Sequence, residues 1–194
     1  MSSTSDERDP LTGVGSGRAS QEVLHASIEH NRPVGLLLCD VDNLRYINAE
    51  FGPERADAEL RRIARDLERI CAPCPVFRLG GDEFLVILHE RSPEQTRDLA
   101  QRILKSQPPL TVWHDGVRPV ETLSLSIGFA LFPTHALTAE NLLRATDIAL
   151  LKSKDGGRLP DGTPYVGRNH ALTWGDFLDE FPEQSAEFLN PDFI

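Results

Sequence analysis

Two pairs of acidic residues are the side chains of this 194-residue chain best suited to chemistry. Asp82 and Glu83 follow two glycines in the stretch RLGGDEF, and Asp40 and Asp42 end the apolar run VGLLLCDVD. Adjacent carboxylates repel each other, so they need a compensating partner such as solvent, a basic side chain or a metal ion. Carboxylates from separate strands suit Mg²⁺, which prefers oxygen ligands and retains waters and substrate phosphates.

The elements predicted around these acids can bring the two pairs together. VGLLLCDVD is typical of a strand that is buried on both faces and carries its carboxylates at its C-terminal end. CPVFRL, the Gly80-Gly81 turn and EFLVIL predict a β-hairpin. In an antiparallel sheet this hairpin can lie beside the first strand, and its glycines let a ligand approach the backbone closely.

Amphipathic helices separate the predicted strands. ERADAELRRIARDLERI is a strong helix whose apolar residues share one face: Ala56, Leu60, Ile63, Leu67 and Ile70. LTVWHDGVRPVETLSLSIGFAL predicts a second hairpin with its turn near Asp115-Gly116. The last strong helix, TAENLLRATDIALLKSK, ends near Lys154 and Arg158, which could meet phosphates. The order of elements predicts an α+β fold with helices around a central, mainly antiparallel sheet.

Composition and charge argue against several classes of protein. The formal net charge of -10 argues against broad binding to duplex DNA or to an anionic membrane. No apolar run approaches the roughly 20 residues that span a bilayer, and MSSTSDERDP lacks the apolar core of a secretory signal. The three cysteines, Cys39, Cys71 and Cys74, do not form a disulfide framework. We therefore expect a cytoplasmic protein with reduced thiols.

The chain divides into three segments. Residues 1–8 are polar and expected to be disordered, residues 9–158 contain the predicted strands and helices, and residues 159–194 form an acidic, aromatic tail. Four apolar residues of this tail fit one helical face: Trp174, Phe177, Leu178 and Phe181. We expect a tail helix docked on the domain, with a contact to a protein partner or a dimer as the alternative.

Five motifs, in order from Asp9 to Arg158, resemble the GGDEF family, the diguanylate cyclases. RLGGDEFLVIL resembles the defining motif, and four further segments resemble its other conserved stretches: DPLTGV, LLLCDVDNLRYINAEFG, SLSIGFA and TDIALLKSKDGGR. The resemblance implies a fold like the palm of nucleotide cyclases and polymerases. It also implies that two GTP condense to cyclic di-GMP and two pyrophosphates. Each domain would hold one GTP, so catalysis would need a homodimer.

The resemblance further implies a role for each matched residue. Mg²⁺ or Mn²⁺ would be held by the carboxylates of Asp40 and Glu83 and by the backbone carbonyl of Val41. Asp82 matches an acid sometimes proposed to take the proton of the attacking 3′-hydroxyl. Arg78 matches an arginine thought to stabilise phosphate charge.

The residues implied to bind GTP are distributed over four motifs. Asn48 and Asp57 match the guanine readers, and aspartate at the second position favours GTP, because members that also use ATP often carry serine there. A carboxylate can accept from guanine N1–H and the 2-amino group, which adenine cannot reproduce. The remaining matches are the turn glycines, the phosphate clamp and an arginine in place of the family's usual lysine: Gly80, Gly81, Lys154, Arg158 and Arg45.

The chain departs from the family where a product-inhibition site is usually found. Many members carry RxxD there, but this chain has Cys71 and Cys74. Because a neutral thiol cannot make arginine's bidentate contacts, we expect the feedback site to be absent. The CxxC spacing also fits a redox or zinc site. Ser16 and Gly17 replace family residues in the segment that leads into the domain, which puts coupling to a sensor in doubt more than chemistry.

Three hypotheses follow. The leading one is an active, GTP-specific, Mg²⁺-dependent diguanylate cyclase without product inhibition. The alternative is a catalytically silent GGDEF module that binds GTP or a protein partner, supported by the eroded N-terminal motif and the aromatic tail. The third is a related cyclase with another oligonucleotide product, against which Asp57 argues.

Overall fold

The computed structural model describes residues 7–106, 112–114, 118–120, 123–155, 157–158, 164–165 and 170–176. Within these residues the chain forms ten strands and five helices, in this order: β1 (Gly15–Ser16), α1 (Gly17–Glu29), β2 (Val34–Val41), α2 (Leu44–Phe51), α3 (Pro53–Cys71), β3 (Val76–Gly80), β4 (Glu83–His89), α4 (Pro93–Ser106), β5 (Val112–His114), β6 (Arg118–Val120), β7 (Leu125–Phe132), α5 (Ala139–Asp155), β8 (Gly157–Arg158), β9 (Pro164–Tyr165) and β10 (Ala171–Thr173).

Six of these strands form one sheet in the order β1-β3-β4-β2-β7-β10. The four inner strands are antiparallel to one another, and the short edge strands β1 and β10 run parallel to their neighbours. Two further pairs, β5-β6 and β8-β9, are antiparallel and separate from this sheet. The predicted α+β fold with a mainly antiparallel central sheet is confirmed. The predicted turn at residues 115–116 lies outside the described residues.

Strand β2 is buried along its whole length because helices cover both faces of the sheet. Its side chains alternate between two apolar clusters, as the two-residue period of a strand requires. Leu37, with Cys39 and Val41, packs with residues of α3 and α4. Leu36, with Leu38, packs with residues of α1 and α5. A continuous apolar run is therefore the pattern expected of this strand.

Helix α3 is amphipathic as predicted. It begins with Pro53 directly after Gly52, whose φ of 82° is a backbone conformation that favours glycine. The five residues predicted for its apolar face are all buried: Ala56, Leu60, Ile63, Leu67 and Ile70.

Helix α5 crosses β7 at an unusually short distance, which only glycine permits. A Cβ atom added to Gly128 would lie 2.1 Å from the backbone nitrogen of Leu150 and 2.3 Å from the backbone oxygen of Thr146. This approach sets the position of the C-terminal half of α5, which carries Lys154. The glycine of SLSIGFA therefore determines how closely the helix that carries Lys154 packs against the sheet.

The beginning of the chain is held by hydrogen bonds from residue 7 onward. The carbonyl of Glu7 accepts from the backbone N–H of Ser16, at 2.9 Å. Arg8 forms an isolated antiparallel bridge with Gly15. Disorder was expected for residues 1–8, of which residues 1–6 lie outside the described residues.

The tail contributes a strand that the sequence did not predict. β10 pairs with β7 in parallel register, Ala171 opposite Ile127 and Thr173 opposite Phe129. Residues 174–176 form a helical turn, and Trp174 is 4% exposed. Three members of the predicted helical face, Phe177, Leu178 and Phe181, lie outside the described residues.

Candidate active site

The two acidic pairs meet at one end of the central sheet. Antiparallel pairing of β2 with β4 places Asp40 directly opposite Glu83. Next to this pair, the backbone N–H of Val41 donates to the carbonyl of Asp82, at 3.0 Å. The expectation that the hairpin brings its acids to the first strand is therefore confirmed.

The turn between β3 and β4 needs both of its glycines. Gly80 has a φ of 148° and Gly81 has a φ of 53°. Residues with a Cβ atom rarely adopt these backbone conformations. The ladder between the two strands shifts register between Arg78 and Gly80. A Cβ built at either glycine meets nothing within 4 Å, so the space above the turn is open. The predicted room for a ligand is present at this backbone.

Negative charge is concentrated at this edge. Burial raises the pKa of Asp40, and the ammonium of Lys154, 2.8 Å from Oδ2, opposes this rise. Burial also raises the pKa of Glu83, and the nearby carboxylates of Asp40, Asp82 and Asp147 raise it further. Groups with raised pKa values at such an edge are the ones that a cation would stabilise in the charged form.

Asp147 is the acid that sequence analysis missed. It lies on α5 seven residues before Lys154, a separation of about two helical turns that puts both residues on one face. The helical period of TDIALLKSK was the signal that could have identified it. The contact between Lys154 and Asp40 places the lysine of TDIALLKSKDGGR at the acidic edge.

Two open, adjoining pockets extend from these acids. One has a volume of about 530 Å³. Its lining includes these residues: Asp40, Val41, Asp42, Arg45, Asp82 and Lys154. The other, of about 360 Å³, includes Asn48, Asp57, Arg78 and Gly81. Both are lined by Leu44, Arg45 and Asp82. The residues predicted to bind phosphate and metal therefore adjoin those predicted to bind guanine.

The predicted guanine readers lie on two helices. Asn48 is exposed on α2, and Asp57 is half-buried on α3. The guanidinium of Arg61 lies 3.9 Å from the carboxylate of Asp57, one turn along the same helix. Arg45 is exposed on α2. The backbone of Arg158 lies in β8, and its side chain is outside the described residues.

The donor set at the edge fits a hard divalent cation. Asp40, Glu83 and the carbonyl of Val41 offer oxygen atoms alone, the ligand type that Mg²⁺ and Mn²⁺ prefer. Over the described ranges no group of three or more His, Cys, Asp or Glu side chains has the arrangement of a metal site. Two carboxylates and a carbonyl leave coordination positions for waters and phosphates, which is how Mg²⁺ is usually held.

Asp42 differs from its neighbour Asp40. It is 3% exposed, and its carboxylate accepts hydrogen bonds from the hydroxyls of Ser124 and Ser126, at 2.6 and 2.9 Å. In the sequence, both acids end the same apolar run and are not distinguished. The structure separates a carboxylate that lies against a lysine from one that is held by two serines.

Arg78 is occupied by contacts within the protein. Its guanidinium donates to the carbonyl of Gly81, at 2.7 Å from Nη2, and to the carboxylate of Asp9, at 3.2 Å from Nη1. Burial opposes ionisation of Asp9, but hydrogen bonds from Thr12 and Arg78 outweigh it and lower the pKa of Asp9. Arg78 thus ties the glycine turn to the DPLTG segment. Its predicted contact with a phosphate stays a prediction.

The cysteines are thiols in the structure. Cys71 is 1% exposed, and burial raises its pKa to about 12. Burial likewise raises the pKa of Cys39 well above its ordinary value. Cys74 is half-buried, and all three are free. A buried neutral thiol at position 71 offers neither the charge nor the reach of an arginine.

Comparison with known proteins gives one consistent family. The sequence model described as "Diguanylate cyclase, GGDEF domain" matches residues 7–159. The cyclic di-GMP phosphodiesterase PdeR of Escherichia coli K12 is 32% identical over 154 residues, which cover 77% of this chain and 23% of PdeR. The diguanylate cyclase DosC of the same organism is 34% identical over 139 residues, which cover 71% of this chain and 30% of DosC. The chain thus spans less than a third of the length of either relative.

A solved structure has the same fold. The sensory box/GGDEF family protein from Caulobacter crescentus CB15 superposes with a TM-score of 0.66 at 31% identity, covering 77% of this chain and 98% of that one. The predicted palm-like cyclase fold is confirmed by this similarity. Within the described parts of the chain, no helix is long and apolar enough to cross a membrane.

Proposed function

The chain belongs to the GGDEF domain family of diguanylate cyclases, and we propose that it condenses two GTP molecules to cyclic di-GMP and two pyrophosphates. The observation that carries the proposal is the opposition of Asp40 and Glu83 across β2 and β4, with Asp40 at the wall of an open pocket. Lys154 reaches the same wall from α5. The combination provides oxygen ligands for a cation and an ammonium for phosphates at one place.

The nucleotide would lie along the two adjoining pockets. Asn48 and Asp57 would bind the guanine, because a carboxylate can accept from two neighbouring N–H groups of that base. The triphosphate would lie over the Gly80-Gly81 turn, where the absence of side chains leaves the backbone accessible. Lys154 would donate to phosphate oxygens, with Arg45 at the pocket wall between base and phosphates.

Asp40, Glu83 and the carbonyl of Val41 would hold Mg²⁺ or Mn²⁺. When bound, this ion would neutralise phosphate charge and lower the pKa of the attacking hydroxyl. Asp82 lies on the turn beside these ligands and is proposed to accept the proton of the 3′-hydroxyl. Arg78 would support the reaction by holding the carbonyl of Gly81.

Each condensation forms a bond from the 3′-oxygen of one GTP to the α-phosphorus of the other and breaks the bond to pyrophosphate. The 3′-hydroxyl proton leaves in the same step. One domain offers one site of this kind among its described residues, so two domains must face each other to join two nucleotides. We therefore propose that catalysis requires a homodimer, and that activity per chain rises with protein concentration.

We propose that the product does not inhibit this enzyme through the site used by many relatives. Cys71 and Cys74 stand where the family often has arginine and aspartate, and the first is a buried thiol. Adding cyclic di-GMP to the assay should therefore leave the initial rate unchanged. A rate that falls at low product concentration would refute this part.

The test of the main proposal is a product assay with GTP and Mg²⁺ over a series of protein concentrations. Formation of cyclic di-GMP, at a specific activity that rises with concentration, is expected. No product at any concentration would refute the proposal. Replacing Mg²⁺ by EDTA should stop turnover, and ATP should not substitute for GTP.

A second candidate is a GGDEF domain without turnover that binds GTP or a protein partner. One observation favours it: PdeR, a relative covering 77% of this chain, is named as a phosphodiesterase and not as a cyclase. Calorimetric binding of GTP with Mg²⁺, combined with no product, would select this function.

A further inference from the structure

Asp42 has a buried carboxyl group that the proposed reaction does not use. The side chain is 3% exposed, and a polar group removed from water is stable only if it is hydrogen-bonded. Ser124 donates its hydroxyl to Oδ2 at 2.6 Å, and Ser126 donates to Oδ1 at 2.9 Å. Each oxygen of this carboxyl group thus accepts from a hydroxyl of the segment 124–126. The contact therefore ties the end of β2 firmly to the beginning of β7.

The backbone around Asp42 makes the same connection. Its N–H donates to the carbonyl of Ser124 at 2.9 Å, one residue beyond the pairing of Val41 with Leu125. On the other side of the strand, the N–H of Val41 donates to the carbonyl of Asp82. The segment 40–42 is thus held between β7 and the glycine turn.

The chain leaves the sheet immediately after this anchor. Asn43 has φ of 63°, a left-handed conformation that asparagine tolerates better than most residues, and α2 begins at the next residue. The acids around Asp40 repel one another across the same edge. A fixed point is needed here if Asp40 and the Val41 carbonyl are to face the pocket against that repulsion.

We propose that Asp42 is a positioning residue for the cation site. Through its hydrogen bonds with Ser124 and Ser126, it fixes the orientation of Asp40 and of the Val41 carbonyl. This inference rests on the proposed metal ligands but not on turnover. The residue touches neither nucleotide nor metal in this proposal. Groups that orient metal ligands typically change metal affinity by about 10- to 100-fold when removed.

The test compares metal binding with metal-free nucleotide binding in the full chain. The probe is Mn²⁺, measured by electron paramagnetic resonance with a GTP analogue whose α,β-bridge is a methylene group. Asp42→Asn keeps the size of the side chain but leaves one serine hydroxyl without an acceptor. Its Mn²⁺ affinity should fall by about 10- to 100-fold. Its affinity for the analogue in EDTA should stay at the value of the unmodified chain.

A second variant and two matched controls keep the test decisive. The double variant Ser124→Ala/Ser126→Ala removes both hydroxyl hydrogen bonds to Asp42 but keeps Asp42 itself. It should reproduce the loss of Mn²⁺ affinity. Ser27→Ala removes a buried hydroxyl on α1 that bonds only within its own helix, and Asp176→Asn alters a buried carboxylate at the far edge. Both controls should bind Mn²⁺ as the unmodified chain does.

Two results would overturn the proposal. One is a folded Asp42→Asn or double-serine variant that binds Mn²⁺ as tightly as the unmodified chain. The other is an equal loss of Mn²⁺ and metal-free analogue affinity, which would mean a general structural role. If Asp42→Asn does not fold by circular dichroism, the double-serine variant decides by the same two criteria. The product assay of the unmodified chain is scored separately, so absent turnover with intact Mn²⁺ binding refutes only the proposed catalysis.

Discussion

Two edges of the molecule treat their carboxylates in opposite ways. At the pocket, Lys154 forms an ion pair with Asp40. Within the described residues, neither Asp82 nor Glu83 has an ion pair, although other carboxylates lie near Glu83. At the β7–β10 edge, Asp176 is 8% exposed and accepts hydrogen bonds from both terminal nitrogens of Arg97, at 2.9 and 3.0 Å.

The difference separates carboxylates that serve the fold from those that serve a ligand. The hydrogen bond to Asp176 raises the pKa of Arg97, so the carboxylate stabilises the charge of the guanidinium. The pKa of Glu83 is raised, because burial and the neighbouring carboxylates disfavour its charge. Acids held in this unfavourable state mark the place where a cation is expected to bind. The four predictions below test this contrast.

Replacing Glu83 should have the largest effect, because it removes half of the carboxylate pair at the pocket. Glu83→Gln should lower the rate of cyclic di-GMP formation by at least about 100-fold, the usual cost of losing a group that stabilises charge in the transition state. Circular dichroism should show an intact fold. Asp176→Asn is the matched control and should keep its turnover. Activity retained in Glu83→Gln would end the assignment of this edge as the reaction site.

Gly128 lies on β7, the strand between β2 and β10, at the point where α5 packs against it. Gly128→Ala forces a Cβ against the backbone of Leu150 and Thr146, so α5 must shift. We expect a loss of about 1–3 kcal/mol in the free energy of unfolding, measured by urea denaturation. Turnover should also fall, because the shift of α5 displaces Lys154. Gly35→Ala on β2, where a Cβ has ordinary contacts at 3.6 Å, is the control. Equal behaviour of the two variants would contradict the packing argument.

Arg97 should matter for stability alone. Arg97→Ala leaves the buried carboxylate of Asp176 without its main partner, which should cost about 1–3 kcal/mol in the free energy of unfolding. Arg69→Ala, which breaks an exposed contact to Asp66 at 3.4 Å, should cost about 0–1 kcal/mol. Turnover below the melting temperature should be unchanged in both. A specific loss of activity in Arg97→Ala would show that the two edges are coupled.

The smallest effect is a gain in stability at the pocket. Because the pKa of Glu83 is raised from 4.5, the folded chain binds more protons than the unfolded chain as the pH rises from that value through the raised pKa. Its contribution to stability therefore falls across this window. In EDTA, Glu83→Gln should melt higher than the unmodified chain at pH 7, by about 2–4 °C at most. Near pH 4 the two melting temperatures should be equal. A Glu83→Gln variant that melts lower than the unmodified chain at pH 7 would contradict the unfavourable charge at Glu83.

Local patterns were enough to predict the central sheet and the acids it carries. The apolar run before Asp40, the glycines before Asp82 and the spacing of α3 each depend on neighbours within a few residues. The family motifs named the ligands because those motifs are contiguous stretches. The pairing of Asp40 with Glu83 followed from the antiparallel arrangement that these patterns imply.

What sequence alone could not predict depends on residues far apart in the chain. Asp42 resembles Asp40 in sequence, and only the approach of Ser124 and Ser126, more than 80 residues away, makes it an anchor. β10 is three residues long, so its place beside β7 depends on pairing rather than on periodicity. Arg78 matches a phosphate-stabilising arginine in the sequence, and only the structure shows its contacts with Asp9 and Gly81.

The sequence by itself determined the family, the order of the elements and the identity of the acids, because these are set by residue type and short-range spacing. Only the tertiary structure decided which acid contacts a lysine, which accepts from two serines and which is paired with an arginine. The physical reason is that a carboxylate's role depends on the charges and donors within a few ångströms, and distant segments bring those groups to it.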